Sequence, residues 1–126
     1  MSMAKDIMRK KAVTIDGENS IFKLSEMLTK NNLSGVPVVE KSGKLIGFVS
    51  GREVITTLAL PNFREKKIKD IMVKKVTTVG VNTPIEEISK IFTEKTIHSL
   101  PVLDGNKVAG VILRKAVIDN LLGHYY

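Results

Sequence analysis

Apolar residues in the first half of the chain follow helical spacing in two places. The first stripe consists of Ile21, Leu24, Met27 and Leu28, and the second of Val54, Ile55, Leu58 and Ala59. Residues three or four apart share one face of a helix, so each stripe predicts a helix, and the first helix is expected to bury its apolar face. Asn19 is a candidate N-cap for the first helix, and Pro61 is expected to end the second.

Runs of β-prone residues lie before and between these helices. They cover 12–15, 33–40 and 45–50, and residues 41–44 are predicted to form the turn of a hairpin between the last two runs. Pro37 lies inside the second run. Because proline cannot donate to a β-ladder, we expect Pro37 at a strand start, at an edge or where another group approaches the backbone.

The second half of the chain repeats this order of elements. Strands are predicted at 76–79, 97–104 and 108–113, with a turn at Gly105-Asn106 and with Pro101 in the position of Pro37. The helical stripes consist of Ile85, Ile88, Ile91 and Phe92, and of Val117, Ile118, Leu121 and Leu122. Thr83 as N-cap, Pro84 at the first helical position and Glu86 as capping-box partner predict the start of the first of these helices.

Sequence identities show that the two halves are copies of one unit. Lys5-Asp6-Ile7-Met8 returns as Lys69-Asp70-Ile71-Met72, an offset of 64 residues, and Gly47 returns as Gly110, an offset of 63. Each copy reads β-α-β-β-α, which predicts an α/β (α+β) fold with copies at 1–60 and 69–126 and a linker at 61–68. A copy of about sixty residues is small for an independent core, so we expect the copies to pack as a pseudo-two-fold sandwich.

Composition narrows the class of protein. With 126 residues and 43% hydrophobic content, the chain suffices for one compact domain or for two small subdomains that share a core. The chain has no cysteine, which excludes disulfides and thiolate metal sites. No apolar run approaches the roughly 20 residues that span a bilayer, and the N-terminus lacks the apolar stretch of a signal peptide. We therefore expect a soluble, cytoplasmic protein without a membrane partner.

The net charge of +7 and the pI near 9.7 favour anionic partners. The basic residues gather at 9–11, 64–69, 74–75 and 114–115, which are mostly predicted linkers and element ends. Such lysines also serve as a solvated, solubilising surface. The chain has no tryptophan and only four scattered phenylalanines, so the aromatic platform of a single-strand nucleic-acid binder is not visible.

The most polar junction in the pattern is the place where a predicted strand meets a predicted helix at 47–53. A helix N-terminus offers free N–H groups to a phosphate; Ser50 adds a hydroxyl, Gly51 permits close approach and Arg52 adds charge. Glu53 suits a ribose, because a carboxylate accepts two hydrogen bonds from a vicinal diol. Ser50 and Glu53 also match an ordinary capping box, which is the favoured interpretation of these residues taken alone, and the two roles are compatible.

The copy of this junction at 110–116 lacks both polar groups. Leu113 stands in the position of Ser50, and Ala116 stands in the position of Glu53. Arg114 and Lys115 are the remaining charged residues there. The sequence therefore predicts one equipped junction and one stripped junction.

Catalysis is not predicted. His98 and His124 are the only histidines, and no nucleophile with a base, and no cluster of metal ligands, can be assembled from the spacing. We expect no catalytic residues, no metal and no catalytic cofactor, and therefore no enzyme. The terminal His124-Tyr125-Tyr126 reads as a frayed end, or as a tail that orders on dimerisation.

The order of elements and the motifs together resemble a tandem pair of CBS domains, also called a Bateman module. The Lys-Asp-Ile-Met segment, the apolar-Pro-apolar strand and Gly47-x-x-Ser50-x-x-Glu53 carry the resemblance, which covers roughly residues 4–122. It implies a regulatory, ligand-sensing module that binds AMP, ADP, ATP or S-adenosylmethionine in clefts between the copies. In that family the hydroxyl of the junction contacts phosphate, and a carboxylate, more often aspartate than the glutamate found here, pairs with the ribose.

In the family the clefts are crossed, so the junction of one copy faces the first two strands of the other. For the equipped junction, the resemblance implies a site of Gly47, Ser50, Gly51, Arg52, Glu53, Lys75, Thr77, Thr78, Val79, Ile97, His98, Ser99 and Pro101. For the stripped junction it implies a weaker cleft of Thr14, Ile15, Ser34, Gly35, Pro37, Arg114 and Lys115. His98 is either a ligand contact or an exposed histidine, and the weaker cleft is either empty or binds phosphate through its two basic residues.

Family members commonly form discs of two chains and four copies, which implies a homodimer and a possible regulated protein partner. Two other classes of function remain open. The chain could act as a dimerisation or protein-interaction scaffold that uses no ligand, or, less favoured, as a nucleic-acid binder through its lysine-rich linker.

Overall fold

The computed structural model describes residues 2–123, so the predicted His124-Tyr125-Tyr126 tail lies outside the described residues. The strands are β1 (Ile15–Asp16), β2 (Gly35–Val39), β3 (Leu45–Ser50), β4 (Val79–Gly80), β5 (Ser99–Asp104) and β6 (Lys107–Leu113). The helices are α1 (Ala4–Ile7), α2 (Ile21–Asn31), α3 (Gly51–Leu58), α4 (Ile68–Ile71), α5 (Ile85–Glu94) and α6 (Arg114–Leu122), and a 3₁₀ helix covers Phe63–Glu65. None of the described helices is both long enough and apolar enough to cross a membrane.

Two three-stranded sheets with the same topology confirm the mixed α and β class. The strand orders are β1-β2-β3 and β4-β5-β6, with the first pair of each sheet parallel and the second antiparallel. Both antiparallel pairs carry a register shift at matching positions, between Val38 and Val39 and between Val102 and Leu103. The copies therefore repeat their sheet down to this irregularity.

The chain forms two compact units that do not coincide with the sequence copies. The first unit is Val13–Val76. The second unit combines the N-terminal segment through Ala12 with the chain from Thr77 onward. Each unit thus contains the Lys-Asp-Ile-Met segment that precedes the other copy in the sequence. The division at 1–60, 61–68 and 69–126 describes the sequence repeat, and residues of its linker belong to the first unit.

Each unit has its own apolar core, and the exchanged segment helps to fill it. In the first unit Ile68 of α4 is fully buried with Ile15, Leu24 and strand residues of β2 and β3. In the second unit Ala4 of α1 takes the matching place beside Ile88 of α5. The sequence pattern did not predict α1 and α4, because four residues are too few to show helical periodicity.

The repeated methionine and glycine of the two copies meet inside each unit. A Cβ on Gly47 would lie 2.5 Å from Met72 Sδ and 2.9 Å from the Val73 carbonyl oxygen. A Cβ on Gly110 would lie 2.7 Å from Met8 Sδ. Glycine at these positions is therefore required by the packing of the exchanged segment against the sheet.

The prolines lie in the central strand of each sheet and not at a strand start or in an edge strand. Pro37 pairs with Phe48, whose N–H and C=O point away to Val73, so this pair exchanges no ladder bonds. Pairing with β1 begins only at the next residue, Val38. The absent N–H of Pro37 therefore costs neither ladder a bond, and Pro101 repeats the arrangement opposite Val111.

Two predicted helix starts are wrong by one residue. Ser20, and not Asn19, caps α2, because its hydroxyl accepts a hydrogen bond from Lys23 N–H at 3.2 Å. Pro84 is itself the N-cap of α5, with an extended ψ of 150°. The Thr83 hydroxyl instead accepts from Gly80 N–H at 3.0 Å, so it forms no capping box with Glu86.

The remaining differences concern strand ends. The predicted strands at 12–15 and 76–79 are observed as β1 and β4, which overlap them only at Ile15 and Val79. Both strands are two residues long, and they pair in parallel with Val38 and Val39 of β2 and with Val102 and Leu103 of β5. The predicted hairpins of both copies are confirmed, with Gly43 and Gly105 in left-handed conformations at their turns.

Candidate functional site

The equipped junction is formed because β3 runs into α3 without a loop. Ser50 ends the strand with φ −134° and ψ 176°, and Gly51 begins the helix. The Glu53 carboxylate turns back, and its Oε1 accepts hydrogen bonds from Ser50 N–H at 2.8 Å and from Ser50 Oγ at 2.9 Å. The structure therefore contains the glutamate contact of a capping box at the N-terminus of α3.

This geometry leaves groups at the junction that are able to bind a ligand. Both hydrogen bonds to Glu53 end on Oε1, so Oε2 is left for other donors. A Cβ on Gly51 would meet no atom within 4 Å, so the space beside the first turn of α3 is open within the described residues. Arg52 is exposed, and the helix dipole places partial positive charge at the same end. The junction combines a fixed carboxylate with groups that attract anions.

The start of β2 lies directly beside the equipped junction. Gly51 N–H donates to the Ser34 carbonyl at 3.1 Å, and Gly35 pairs with Ser50. A Cβ on Gly35 would lie 2.8 Å from the Phe48 ring and 2.9 Å from the Val49 carbonyl, so packing requires glycine here. Ser34 and Gly35, predicted for the weaker cleft, are thus neighbours of Ser50.

The stripped junction has the same backbone and different side chains. Leu113 is the N-cap of α6, and the first turn contains no acidic residue. Arg114 N–H donates to the His98 carbonyl at 3.2 Å, matching the bond between Gly51 and Ser34. The Arg114 side chain also reaches back, and its Nη2 donates to the Ile97 carbonyl at 2.6 Å. Lys115 forms an exposed ion pair with Asp119 at 3.7 Å.

Several predicted site residues contribute to packing. Ile15 and Val79 belong to the cores of their units and are only 3% and 7% exposed, and Pro37 and Pro101 are fully buried. Ile97 packs against the core of the second unit. The side chains of Ile15, Val79, Pro37 and Pro101 are therefore used in packing, whereas Ile97 is half-buried and keeps part of its side chain accessible.

The polar members of the predicted sites are more accessible. Lys75 and His98 are exposed, while Thr14, Thr77, Thr78 and Ser99 are half-buried.

The predicted sites draw on both units. The first unit holds the equipped junction and Lys75 together with Thr14, Ile15, Ser34, Gly35 and Pro37. The second unit holds Thr77, Thr78, Val79, Ile97, His98, Ser99 and Pro101 together with Arg114 and Lys115. Within a unit, the structure brings each junction together with the β2 or β5 start of its own copy. The crossed pairing of the sites stays a prediction of the family resemblance.

Sequence reasoning missed a charge cluster in the first unit. Glu18, in the turn before α2, accepts hydrogen bonds from Lys67 Nζ at 2.8 Å and Lys69 Nζ at 2.7 Å. These bonds lower the pKa of the Glu18 carboxyl to about 2, and Glu18 in turn raises the pKa of Lys69. The cluster ties the Lys-Asp-Ile-Met segment at α4 to the turn before α2. The sequence did not reveal this cluster, because Lys67 and Lys69 lie in the basic run at 64–69 and no pattern links that run to Glu18.

Groups of three or more side chains suited to bind a metal are absent from the residues that the structure describes.

Solved structures share this fold over the whole chain. The CBS domain pair of protein MJ0100, in complex with 5′-methylthioadenosine and S-adenosyl-L-methionine, is 28% identical with a TM-score of 0.83, covering 100% of this chain and 99% of that one. CBSX2, in complex with AMP, has a TM-score of 0.89 at 21% identity and covers 100% of both chains, which shows a common fold.

Curated relatives include two enzymes that are much longer than this chain. L-aspartate semialdehyde sulfurtransferase of Methanocaldococcus jannaschii is 27% identical over 113 residues, which is 89% of this chain and 22% of that protein. Homoserine O-acetyltransferase of Methanococcus vannielii is 30% identical over 120 residues, which is 94% of this chain and 24% of that protein. This chain therefore spans less than a quarter of either relative.

The match to a family model agrees with the internal repeat, the two sheets and the two junctions. The model of the CBS domain matches residues 4–60 and again residues 68–123. The chain belongs to the CBS domain family and contains two copies of that domain.

Proposed function

We propose that this chain is a regulatory module that binds one adenosine-containing small molecule at the equipped junction and catalyses no reaction of its own. The observation that carries the proposal is the Glu53 carboxylate, held at the N-terminus of α3 with Oε2 left for further donors. A ribose diol supplies two donors, which such a carboxylate accepts. The CBS pair of MJ0100, 28% identical over its full length, is solved with two adenosine compounds.

The neighbouring groups suit a phosphate attached to that ribose. The first turn of α3 presents the positive end of the helix dipole, and Arg52 adds an exposed guanidinium. The Ser50 hydroxyl, which donates to Glu53 in this structure, can instead donate to a phosphate oxygen. AMP, ADP and ATP use all of these groups, whereas S-adenosylmethionine uses the carboxylate and offers no phosphate.

The polar residues that the family resemblance assigns to the rest of the site are accessible within their own units. Lys75 and His98 are exposed, and Thr77, Thr78 and Ser99 are half-buried. In this scheme one chain has one competent site, because the stripped junction offers no carboxylate to a ribose.

A thermal-shift panel tests the proposal directly. AMP, ADP, ATP and S-adenosylmethionine are each added to wild type and to Glu53→Ala. A ligand at 100 times its Kd stabilises the folded state by about 2.7 kcal/mol, which gives a shift of several degrees. We expect at least one compound to raise the Tm of wild type and to lose that effect in Glu53→Ala.

Asp70→Ala is the matched control, because Asp70 makes the same contact at another helix start. Its Oδ2 accepts from Lys67 N–H at 2.8 Å, as Glu53 accepts from Ser50. This variant loses a helix-capping carboxylate but keeps Glu53, so its ligand response should match wild type. The proposal is wrong if no compound shifts wild type, or if Glu53→Ala responds as strongly as Asp70→Ala.

A second candidate function, a homodimer or protein-interaction scaffold, is favoured by apolar faces on α3 and α6. Ile55 is 72% exposed, and Leu58, Ile118, Leu121 and Leu122 are also exposed. Ile55 and Leu58 correspond to Ile118 and Leu121 in the repeat, so both units present such a face. We propose that a second copy of the chain covers these faces. Light scattering should show a dimer that Ile55→Asp and Ile118→Asp convert to a monomer, and a monomeric wild type would refute it.

A further inference from the structure

We propose that Thr57 is a positioning residue for the Glu53 carboxylate, and that it acts through a hydrogen bond within α3. This inference rests on the proposed function, in which Glu53 accepts hydrogen bonds from the ribose. Thr57 itself is not proposed to touch the ligand. Thr57, Glu53 and Ser50, whose contacts carry the inference, all lie within the first unit.

Thr57 carries a hydroxyl into the interior of the first unit. Among the residues that the structure describes, it is the one polar residue that is buried, with 4% exposure. It lies on α3, which contacts α2 and α4. A buried hydroxyl costs free energy unless it is hydrogen-bonded, and valine would fill a similar space without that cost. Packing alone therefore does not favour threonine over valine at this position.

The Thr57 hydroxyl bonds to the backbone of the residue that carries the carboxylate. Its Oγ1 donates to the Glu53 carbonyl oxygen at 2.7 Å. The regular pattern of the helix brings the Thr57 N–H to the same oxygen, so one residue holds this carbonyl twice. A hydroxyl bond to the carbonyl four residues earlier also bends a helix slightly. In a helix of eight residues, this bond sets the orientation of the first turn and of the Cα–Cβ bond of Glu53.

The orientation of the first turn decides where the carboxylate lies. Glu53 Oε1 accepts from Ser50 N–H at 2.8 Å and from Ser50 Oγ at 2.9 Å, and both contacts need the carboxylate close to the end of β3. Glu53 is thus held at its backbone by Thr57 and at its side chain by Ser50. A side chain held at both ends loses less conformational entropy when it binds a ligand.

The second unit lacks both the carboxylate and the hydroxyl behind it. Ala116 stands in the position of Glu53, and Asn120 stands in the position of Thr57. The Asn120 side chain donates to Ser2 Oγ at 3.4 Å and to no helix carbonyl. A threonine needed only to form the helix would suit both copies equally. The joint presence of the two groups in the first copy therefore supports a role of Thr57 in holding Glu53.

Thr56 provides a matched control, because it makes the same kind of bond one residue earlier. Its Oγ1 donates to the Arg52 carbonyl at 3.0 Å, but Thr56 is exposed and does not hold Glu53. Thr57→Val removes the hydroxyl and keeps the branched shape. The Glu53 carbonyl keeps its helical bond in this variant, so no buried group loses its partner and the variant is expected to fold.

The experiment measures Kd for AMP and for S-adenosylmethionine by isothermal titration calorimetry with wild type, Thr57→Val, Thr57→Ser and Thr56→Val. We expect Thr57→Val to bind about fivefold more weakly, the factor that one ordinary hydrogen bond is worth. Its Tm should fall by no more than about 2 °C, because the change costs little stability. Thr57→Ser keeps the hydroxyl and should recover most of the affinity, and Thr56→Val should bind as wild type does.

Amide hydrogen exchange of Ser50 in the ligand-free protein gives a second readout, because the Ser50 N–H donates to Glu53. Ser50 should exchange faster in Thr57→Val than in Thr56→Val, and equal rates would overturn the inference. If wild type binds neither compound, the proposed function fails and this inference fails with it. If wild type binds but Thr57→Val binds equally well, or Thr57→Ser does not recover the affinity, this inference alone is overturned.

Discussion

Two strands of this protein, β3 and β6, run directly into helices. The two junctions share their backbone arrangement and differ in their side chains. At the first, Glu53 accepts two hydrogen bonds from Ser50. At the second, Leu113 and Ala116 replace both residues, and Arg114 bonds to the backbone of Ile97 instead. Packing explains the glycine that the junctions share, so the proposed function rests on the residues in which they differ.

The shared part of the junctions comes from the exchanged segments. Gly47 faces Met72, and Gly110 faces Met8, with equally little room for a side chain. Glycine thus recurs at both junctions although only one of them carries a carboxylate. A glycine repeated at both junctions can therefore result from the packing of a neighbouring segment, and it does not by itself indicate a ligand site.

The attachment of the two segments also differs between the units. In the first unit Glu18 holds α4 through Lys67 and Lys69. In the second unit the corresponding positions, 64 residues away, are Asn82, Met3 and Lys5, so the sequence offers no carboxylate for the same clamp.

Ile68→Ala should have the largest effect on stability. Ile68 is fully buried and anchors α4 in the core of the first unit, so its truncation leaves a cavity. Such changes cost about 3 kcal/mol. Chemical denaturation measures the loss. The second unit has alanine, Ala4, at the corresponding position. If Ile68→Ala costs well below 1 kcal/mol, α4 does not anchor the first unit.

Gly47→Ala and Gly110→Ala should destabilise by similar amounts, about 2 kcal/mol each, because the new methyl group overlaps a methionine and a backbone carbonyl. Gly51→Ala is the control, since its methyl group would enter open space. Thermal unfolding of the three variants provides the comparison. A destabilisation by Gly51→Ala as large as that of the other two would contradict the steric explanation.

Glu53→Ala should destabilise the ligand-free protein by about 1 kcal/mol, because the N-terminus of α3 loses its capping carboxylate. Ala116→Glu tests the second junction, since it supplies a carboxylate to the first turn of α6, which has none. It should raise the free energy of unfolding by about 0.5 kcal/mol. If Glu53→Ala is neutral, the contact with Ser50 does not stabilise the helix.

The smallest effect should come from the Glu18 clamp, and it should depend on pH. The pKa of Glu18 lies at about 2 in the folded state, below the ordinary value of 4.5, because Lys67 and Lys69 donate to it. A lowered pKa contributes stability that is present above pH 4.5 and is lost as the pH falls toward 2. The difference in Tm between wild type and Glu18→Gln should therefore shrink over this range, and added salt should reduce it. A difference that is constant with pH would show that the clamp is not ionic.

Much of the fold could be predicted from local pattern and repetition. The helical stripes of α2 and α5 and the hairpins of both copies depend on neighbouring residues, and the structure confirms them. The exchange of the Lys-Asp-Ile-Met segments depends on contacts between residues far apart in the chain, such as Met8 with Gly110, which periodicity does not encode. The predicted start of α2 differs by one residue because Asn19 and Ser20 are adjacent polar residues that compete for one cap position. The predicted start of α5 differs because the Thr83 hydroxyl bonds to Gly80 and Pro84 takes the N-cap position.

The candidate site could be predicted only in part for the same reason. Ser50 and Glu53 lie three residues apart, so their contact follows from helix geometry and was foreseen. Arg114 and Ile97 lie 17 residues apart, and their hydrogen bond depends on the register of β5 with β6.

We predict that each chain has one competent adenosine site and that Glu53 is essential to it. Isothermal titration calorimetry with AMP and with S-adenosylmethionine, on wild type and Glu53→Ala, measures both the number of sites and their dependence on this carboxylate. We expect a stoichiometry of one per chain for the compound that binds, and no measurable binding by Glu53→Ala. Two equivalent sites per chain, or an unchanged Kd in Glu53→Ala, would contradict this prediction.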